Sequence, residues 1–177
     1  MLHTKEELEI IQKYNDSVDI DIVDFVKRVY QGETPNPITV GFLTEKTAQE
    51  IESLTGKKVY GNRIILDNNG VIHIKNRHGK DGEQDESMAN IEDIARIGYV
   101  LANYDKIEFN NEYAQGYVDA NGKLAPKVIL SKKIDGTFYI IEAVSDAKKH
   151  KNYIVSAYIK PRNNKSDSPV PNNAIKP

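Results

Sequence analysis

The chain has 177 residues, a net charge of −2 and no cysteine. Its length suits one domain with an extension, and its 39% hydrophobic residues can supply a sizeable core. The absence of cysteine excludes a disulfide framework, a thiolate zinc site and a cysteine nucleophile. The sequence has no signal-peptide pattern and no apolar run of roughly 18 residues, so we expect a soluble, cytoplasmic protein without a membrane partner.

Charge is distributed unevenly along the chain. Residues 80–121 contain 3 basic and 10 acidic side chains, whereas residues 122–165 contain 10 basic and 3 acidic ones. A nucleic-acid-binding face needs a local positive field rather than a basic protein, so the low net charge does not exclude one. The same lysines would also keep an ordinary sheet soluble, and charge alone does not decide between these interpretations.

The first part of the chain has the patterns of helices with short connections. Capping residues, amphipathic spacing, and glycine and proline breaks delimit these elements. The predicted elements are a helix capped by Thr4, an amphipathic helix over 20–30, a loop over 32–37, a strand over 38–43, and a helix between Thr44 and Gly56.

The tetrad Asp67-Asn68-Asn69-Gly70 has two interpretations. It is either a hairpin turn between two strands or the start of a short helix that carries residues 71–78. Periodicity over so few residues does not distinguish the two. A longer apolar stripe predicts a single helix over 87–101.

The second part of the chain has the alternation of β-strands. Asp135-Gly136 is a signal for a two-residue type I′ hairpin. The predicted strands are 127–134 and 137–144 on either side of that turn, and 153–160 after it. Helices followed by an antiparallel sheet indicate an α+β fold. We expect a helical extension over 1–37, one domain over 38–161, and a disordered tail over 162–177.

Four side chains with catalytic potential lie within residues 71–79, namely His73, Lys75, Arg77 and His78. Imidazole is the natural acid or base near neutral pH, and a neighbouring cation can stabilise an anionic phosphorane. On a helix, His73 and Arg77 share a face. On a strand, His78 points away from the other three. The plain alternative is a polar helix end at which His78 caps the C-terminus.

Zinc is a poor alternative for these histidines. His73 and His78 are five residues apart, no glutamate lies between them, and no cysteine is available. We therefore predict no metal and no cofactor.

The last predicted strand has one polar and one apolar face. Ser156, Tyr158 and Lys160 offer a hydroxyl, a phenol and an ammonium on the polar face. Lys132 and the basic run that contains Lys149 can contact phosphates. A solvated sheet face and a solvated loop are the plain alternatives.

A series of short motifs runs through residues 38–161. In chain order they are Gly41-Phe42-Leu43, Ala48-x-x-Ile51-x-x-x-Thr55-Gly56, His73-Ile74-x-x-Arg77-His78-Gly79, Ile94-Ala95-x-Ile97, Asp105-x-Ile107, Lys127-Val128-Ile129-Leu130, Phe138-Tyr139-Ile140-Ile141-Glu142 and Ile154-Val155-Ser156-Ala157-Tyr158. This series resembles the phage-type nuclease domains of the barnase–EndoU–colicin–RelE superfamily.

The resemblance implies helices packed on an antiparallel sheet of about four strands, as in barnase and RelE. It also implies a metal-independent RNase of phage-associated or toxin-like proteins. The site residues that it implies are His73, Arg77, His78, Ser156 and Tyr158. Our additional candidates for substrate binding are Lys75, Lys132, Lys149 and Lys160.

These expectations combine into one mechanism. His73 deprotonates a ribose 2′-hydroxyl, Arg77 and nearby lysines hold the phosphate, and His78 or another donor protonates the leaving oxygen to give a 2′,3′-cyclic phosphate. The expected partners are RNA, with tRNA among the candidates, and an acidic immunity or antitoxin protein. A phage-delivered protein would act in the host cytoplasm.

Two alternatives stay open at this point. One is a catalytically inactive RNA- or protein-binding module of the same fold. The other is a phage structural domain that meets a basic partner through residues 80–121.

Overall fold

A computed structural model describes residues 2–162, and this range forms six helices and one six-stranded sheet. The helices are α1 (Lys5–Asn15), α2 (Ile20–Tyr30), α3 (Glu45–Thr55), α4 (Asn68–His78), α5 (Ile91–Ile94) and α6 (Ile97–Ala102). The strands are β1 (Ile38–Phe42), β2 (Arg63–Leu66), β3 (Lys106–Val118), β4 (Leu124–Lys133), β5 (Thr137–Ala143) and β6 (Lys151–Lys160). The predicted tail lies, except for Arg162, outside the described residues. No helix within residues 2–162 combines the length and apolar character needed to cross a membrane.

Local capping signals determine where the first helices begin. Thr4 and Glu7 form the predicted capping box, with each side chain accepting from the other's backbone N–H at 3.1 and 2.8 Å. Thr44 accepts from the backbone of Thr47 at 3.2 Å at the start of α3. Gly56 ends α3 with φ 76°, a left-handed conformation that suits glycine. The predictions for these helices are confirmed.

The tetrad at 67–70 begins a helix rather than a hairpin. The Asp67 carboxylate accepts a hydrogen bond from the backbone N–H of Gly70 at 2.8 Å and so caps α4. Residues 73–78 are therefore helical.

The single helix predicted over 87–101 is wrong, because a turn at Ala95 and Arg96 divides it into α5 and α6. The N–H of Tyr99 binds the carbonyl of Arg96 at 3.1 Å instead of that of Ala95. The Ala95 carbonyl accepts from the N–H of Asp19, at the start of α2, at 3.1 Å. A tertiary contact thus replaces a helical hydrogen bond.

The sheet has the strand order β1-β2-β6-β5-β4-β3. Neighbouring strands are antiparallel, except that β2 and β6 are parallel. The α+β class is confirmed, with six strands rather than about four. The strands β1 and β2 extend the sheet beyond β6, through a pairing of segments almost ninety residues apart that local patterns do not indicate.

The connection between β4 and β5 is a hairpin, as predicted, but the type I′ turn is wrong. Lys133 pairs with Thr137, so three residues form the loop. Neither Asp135 nor Gly136 has the positive φ that type I′ requires. The side chain of Ile134 is 9% exposed and packs in the core. Ile134 therefore does not pair with β5, and the loop is one residue longer than predicted.

The helices cover one face of the sheet, which we call the core face. One continuous hydrophobic core joins them to it and includes Phe25, Ile51, Ile74, Val100 and Phe138. Helices α1 and α2, which precede the predicted domain, contribute to the same core. At about 25 cal/mol per Å², burial of such side chains is the main stabilising contribution.

The other side of the sheet, the open face, carries side chains that are mostly half-buried. Tyr139 on β5 lies opposite Tyr158 on β6, and Ile141 lies opposite Ser156. Because side chains alternate along a strand, Lys127 on β4 projects to the same side.

Helix α4 packs along the part of β6 that β2 leaves unpaired. The pairing of β2 with β6 extends only over Lys151–Tyr153 of β6. Beyond that point Gly70 approaches β6 so closely that a Cβ there would lie 2.5 Å from the carbonyl oxygen of Ile154. Further along, the N–H of Ile159 donates to Ser87 Oγ at 2.9 Å. The C-terminal end of α4 therefore lies beside the open face.

Candidate active site

His78, the last residue of α4, is packed against the final strand. Its ring is 4% exposed and stacks on Tyr158, with the ring centroids 4.9 Å apart and an interplanar angle of 26°. Its Nδ1 lies 3.0 Å from Asp85 Oδ1. Burial would raise the pKa of Asp85, but hydrogen bonds from Ser87 and His78 outweigh it and lower the pKa, so Asp85 is a carboxylate at neutral pH. Asp85 thus fixes a proton on Nδ1 and leaves Nε2 for chemistry.

The stack continues across the strands. Tyr158 stacks on Tyr139 at 5.1 Å and 18°, and Lys160 Nζ lies 5.6 Å from the centre of the Tyr139 ring. Burial, followed by the negative field of neighbouring groups, raises the pKa of Tyr158, which keeps the phenol protonated at neutral pH. The open face therefore presents phenol hydroxyls and an ammonium beside His78.

His73 lies one turn earlier on α4 and has a different environment. It is half-buried and makes no hydrogen bond or ion pair within residues 2–162. Burial lowers its pKa, and the positive charges of Arg77, His78 and Lys127 lower it further. At neutral pH His73 is consequently an uncharged imidazole that can accept a proton.

Arg77 supplies a guanidinium on the same helix face as His73, four residues later. Its Nε lies 3.7 Å from Glu83 and has no hydrogen-bond partner. The Oγ of Ser156 is also buried without a partner. Buried polar atoms without a hydrogen bond are uncommon and mark this part of the structure as a candidate for polar contacts with a ligand.

A second cation, in addition to Arg77, lies on β4. Lys127 Nζ is 3.9 Å from Glu112, a loose and solvent-screened pair. Within residues 2–162, no three or more His, Asp or Glu side chains are grouped to hold a metal ion.

Three of the predicted substrate-binding lysines lie away from this cluster. Lys75 Nζ lies 4.8 Å from the centre of the Tyr30 ring, on the side of α4 that faces α2. Lys132 belongs to the core face, where its Nζ binds Asp105 at 3.0 Å. Lys160 is the one of the four that reaches the stacked tyrosines.

Lys149 is exposed at the other end of β6. It lines an open cleft of about 470 Å³ together with Tyr117 and Tyr153. Five residues separate Tyr153 from Tyr158, which corresponds to roughly 16 Å along an extended strand. Lys149 can therefore contact a long substrate but not the group held at His78.

Sequence reasoning missed Asp85, Tyr139 and Lys127. Asp85 lies in the acidic loop that follows His78, where a carboxylate able to orient a histidine was a usable signal. Tyr139 could have been placed from the hairpin register, since the alternation of β5 puts it opposite the last strand. Lys127 had no local signal, because its position depends on the order of the strands.

Comparison with known proteins identifies a family for this chain. A model of the family described as phage-Barnase-EndoU-ColicinE5/D-RelE like nuclease3 matches residues 41–168. Searches among curated proteins and among solved structures give no match. The family match includes α4, the open face and β6, and thus all the elements of the cluster described above. The chain belongs to this phage-associated nuclease family.

Proposed function

We propose that the chain is a metal-independent endoribonuclease that cleaves RNA by attack of a 2′-hydroxyl on the adjacent phosphate. The observation that carries the proposal is the pair of histidines at the C-terminal end of α4. One is uncharged and free of partners, and the other is held by a carboxylate. An uncharged imidazole suits a general base, and an imidazole whose Nδ1 is held by a carboxylate can present Nε2 as a general acid in the same transphosphorylation.

In this mechanism His73 takes the proton of the 2′-hydroxyl as its oxygen attacks phosphorus. The bond between phosphorus and the 5′-oxygen breaks, and His78, stabilised as an imidazolium by Asp85, gives its Nε2 proton to that oxygen. The products are a 2′,3′-cyclic phosphate and a 5′-hydroxyl. The protons balance, because one histidine gains the proton that the other loses.

The charge that develops on the phosphate needs donors near it. Arg77 and Lys127 supply positive charge, and Ser156 and Tyr158 supply hydroxyl donors from the strands. The stacked Tyr158 and Tyr139 rings support the nucleotide side of the site, since aromatic rings stack on bases.

The test uses the purified protein in excess EDTA. Total RNA first identifies a cleaved sequence, and an oligonucleotide of that sequence is then compared with one that carries a single 2′-deoxyribose at the cleaved position. We expect cleavage of the first, no cleavage of the second, and a cyclic phosphate on the product. His73→Ala and His78→Ala should each lower the rate by about 10²–10⁴-fold.

His150→Asn is the matched control. His150 is exposed on a loop and has φ 55°, a conformation that asparagine tolerates. The His150→Asn variant should therefore cleave RNA at the wild-type rate. Equal cleavage of the deoxy oligonucleotide would refute 2′-hydroxyl attack. Intact RNA that nevertheless binds the wild-type protein would favour a binding module of the same fold.

A further inference from the structure

A separate cavity of about 310 Å³ lies on the core face of the sheet, between α3, α6 and strands β1, β4 and β5. Its wall includes Thr47, Glu50, Tyr104 and Glu142. The cavity is of the size that small-molecule sites have in proteins. None of these four residues belongs to the nuclease cluster, which lies at the open face. Glu142 follows Ile141 on β5, and the alternation of side chains directs Glu142 to the core face.

Glu142 is the central polar group of this cavity. It is 0% exposed, and its Oε2 accepts a hydrogen bond from Asn152 Nδ2 at 2.7 Å. Asn152 is itself fixed by Asn62, whose Nδ2 donates to its Oδ1 at 3.0 Å. The buried amides thus hold one carboxyl oxygen rigidly. The other oxygen, Oε1, is buried and has no hydrogen-bond partner.

A second polar group on the cavity wall is Tyr104, which follows α6 by two residues. Tyr104 OH donates to the carboxylate of Glu50 and lies 2.9 Å from Thr47 Oγ1. Burial, followed by the hydrogen bond to Glu50, raises the pKa of Tyr104 to about 12. The cavity wall also carries the carboxyl of Asp105, which is paired with Lys132, and the ammonium of Lys46.

These groups define the chemistry of a ligand. Above pH 7, where Glu142 is ionised, its unpaired oxygen requires a donor, and a carboxylate forms its strongest hydrogen bonds with cationic or strongly polarised donors. Phe42, 69% exposed at the cavity, offers an aromatic surface to a planar group. Because Asn152 already occupies Oε2, the free oxygen Oε1 matches one N–H donor of such a group.

We propose that this cavity is a second ligand site, which binds a small planar group through one N–H donor to Glu142 Oε1. The guanidinium ion and the N1–H/N2–H₂ edge of guanine both carry such a donor. The site does not rest on the nuclease proposal, and either can fail alone.

The experiment is isothermal titration of the full chain at pH 8, where Glu142 is ionised, with guanosine and with agmatine, each up to millimolar concentration. Guanosine tests the nucleobase source and agmatine tests the guanidinium source. We expect one of them to bind the wild-type protein with one site per chain. Glu142→Gln turns the free acceptor into an N–H₂ donor while the side-chain oxygen still accepts from Asn152. Affinity should fall at least tenfold.

Two further variants complete the test. Glu9→Gln makes the same chemical change at an exposed position on α1 and should bind as the wild type does. Ala102→Trp, at an exposed residue on the cavity rim, leaves the carboxyl in place and should abolish binding by obstruction. If Glu142→Gln does not fold, Ala102→Trp still tests whether the ligand binds in this cavity. Absence of binding by both probes, or binding that neither Glu142→Gln nor Ala102→Trp weakens, would overturn the proposal.

Discussion

The strongest quantitative prediction concerns the stability of the protein and its dependence on pH. Glu142 is completely buried, and burial raises the pKa of its carboxyl from the usual 4.5 to about 7, although the hydrogen bond from Asn152 opposes the shift. In the unfolded chain the same group ionises near 4.5. Folding therefore favours the protonated carboxyl.

The sign and size of the effect follow from that difference. Below pH 4.5 Glu142 is protonated in both the folded and the unfolded state, so it does not change the free energy of unfolding. As the pH rises from 4.5 to 7, only the unfolded state loses the proton, so the free energy of unfolding falls. Above pH 7 the full loss remains, which is about 3 kcal/mol at 1.36 kcal/mol per pH unit. This is a large part of the stability of a typical domain.

Glu142→Gln removes the ionisation and keeps the shape. Urea unfolding of wild type and variant at pH 4.5, 6 and 8 should show that the variant gains up to about 3 kcal/mol relative to the wild type between the lowest and highest pH. Because both proteins share all other titrating groups, the difference isolates Glu142. The exposed Glu9→Gln variant should show no such trend. A difference between wild type and Glu142→Gln that stays constant with pH would refute the reasoning.

Three further predictions concern the nuclease site and its support. Asp85→Asn leaves the His78 stack in place but removes the carboxylate that orients its ring through Nδ1, so the cleavage rate should fall at least about tenfold, as single-turnover kinetics would measure. His73 can act as a base only when it is uncharged, and its pKa is lowered from 6.5. The value of kcat/KM should therefore fall, on acidification, only below pH 6.5. A fall that begins above pH 6.5 would contradict the role of His73 as the base. Gly70→Ala places a Cβ 2.5 Å from a backbone oxygen of β6 and should destabilise the protein by about 1–3 kcal/mol in urea unfolding, whereas Asn69→Ala on the exposed side of α4 should cost far less.

Local signals were sufficient for elements whose boundaries depend on adjacent residues. The capping box at Thr4 and the left-handed glycine at Gly56 define helix ends by contacts within a few residues, and these predictions hold. The identity of α4 was open, because the Asp67 cap competes with a hairpin interpretation of the same four residues and only packing against β6 favours the helix.

Tertiary contacts determined what the sequence could not show. The break between α5 and α6 depends on a hydrogen bond from α2, and the six-stranded sheet depends on the parallel pairing of β2 and β6. For the same reason the sequence identified His73 and His78 as candidates but not Tyr139 or Lys127. Tyr139 joins the cluster through the register of β5 on β6, which strand alternation could have indicated, whereas Lys127 joins it through strand order, which no local pattern encodes.

The position of β6 has a consequence for biosynthesis. This strand lies in the middle of the sheet, between β2 and β5, although it is the last strand along the chain within residues 2–162. Before a ribosome has made residues 151–160, α4 has no β6 to pack on, and His78 has no Tyr158 to stack on. The stack on Tyr158 forms only when β6 has left the exit tunnel and has paired on both sides. Pairings so distant in sequence form slowly. The cluster around His78 is therefore among the last parts of the described residues to assemble, and a chain that ends before β6 lacks it.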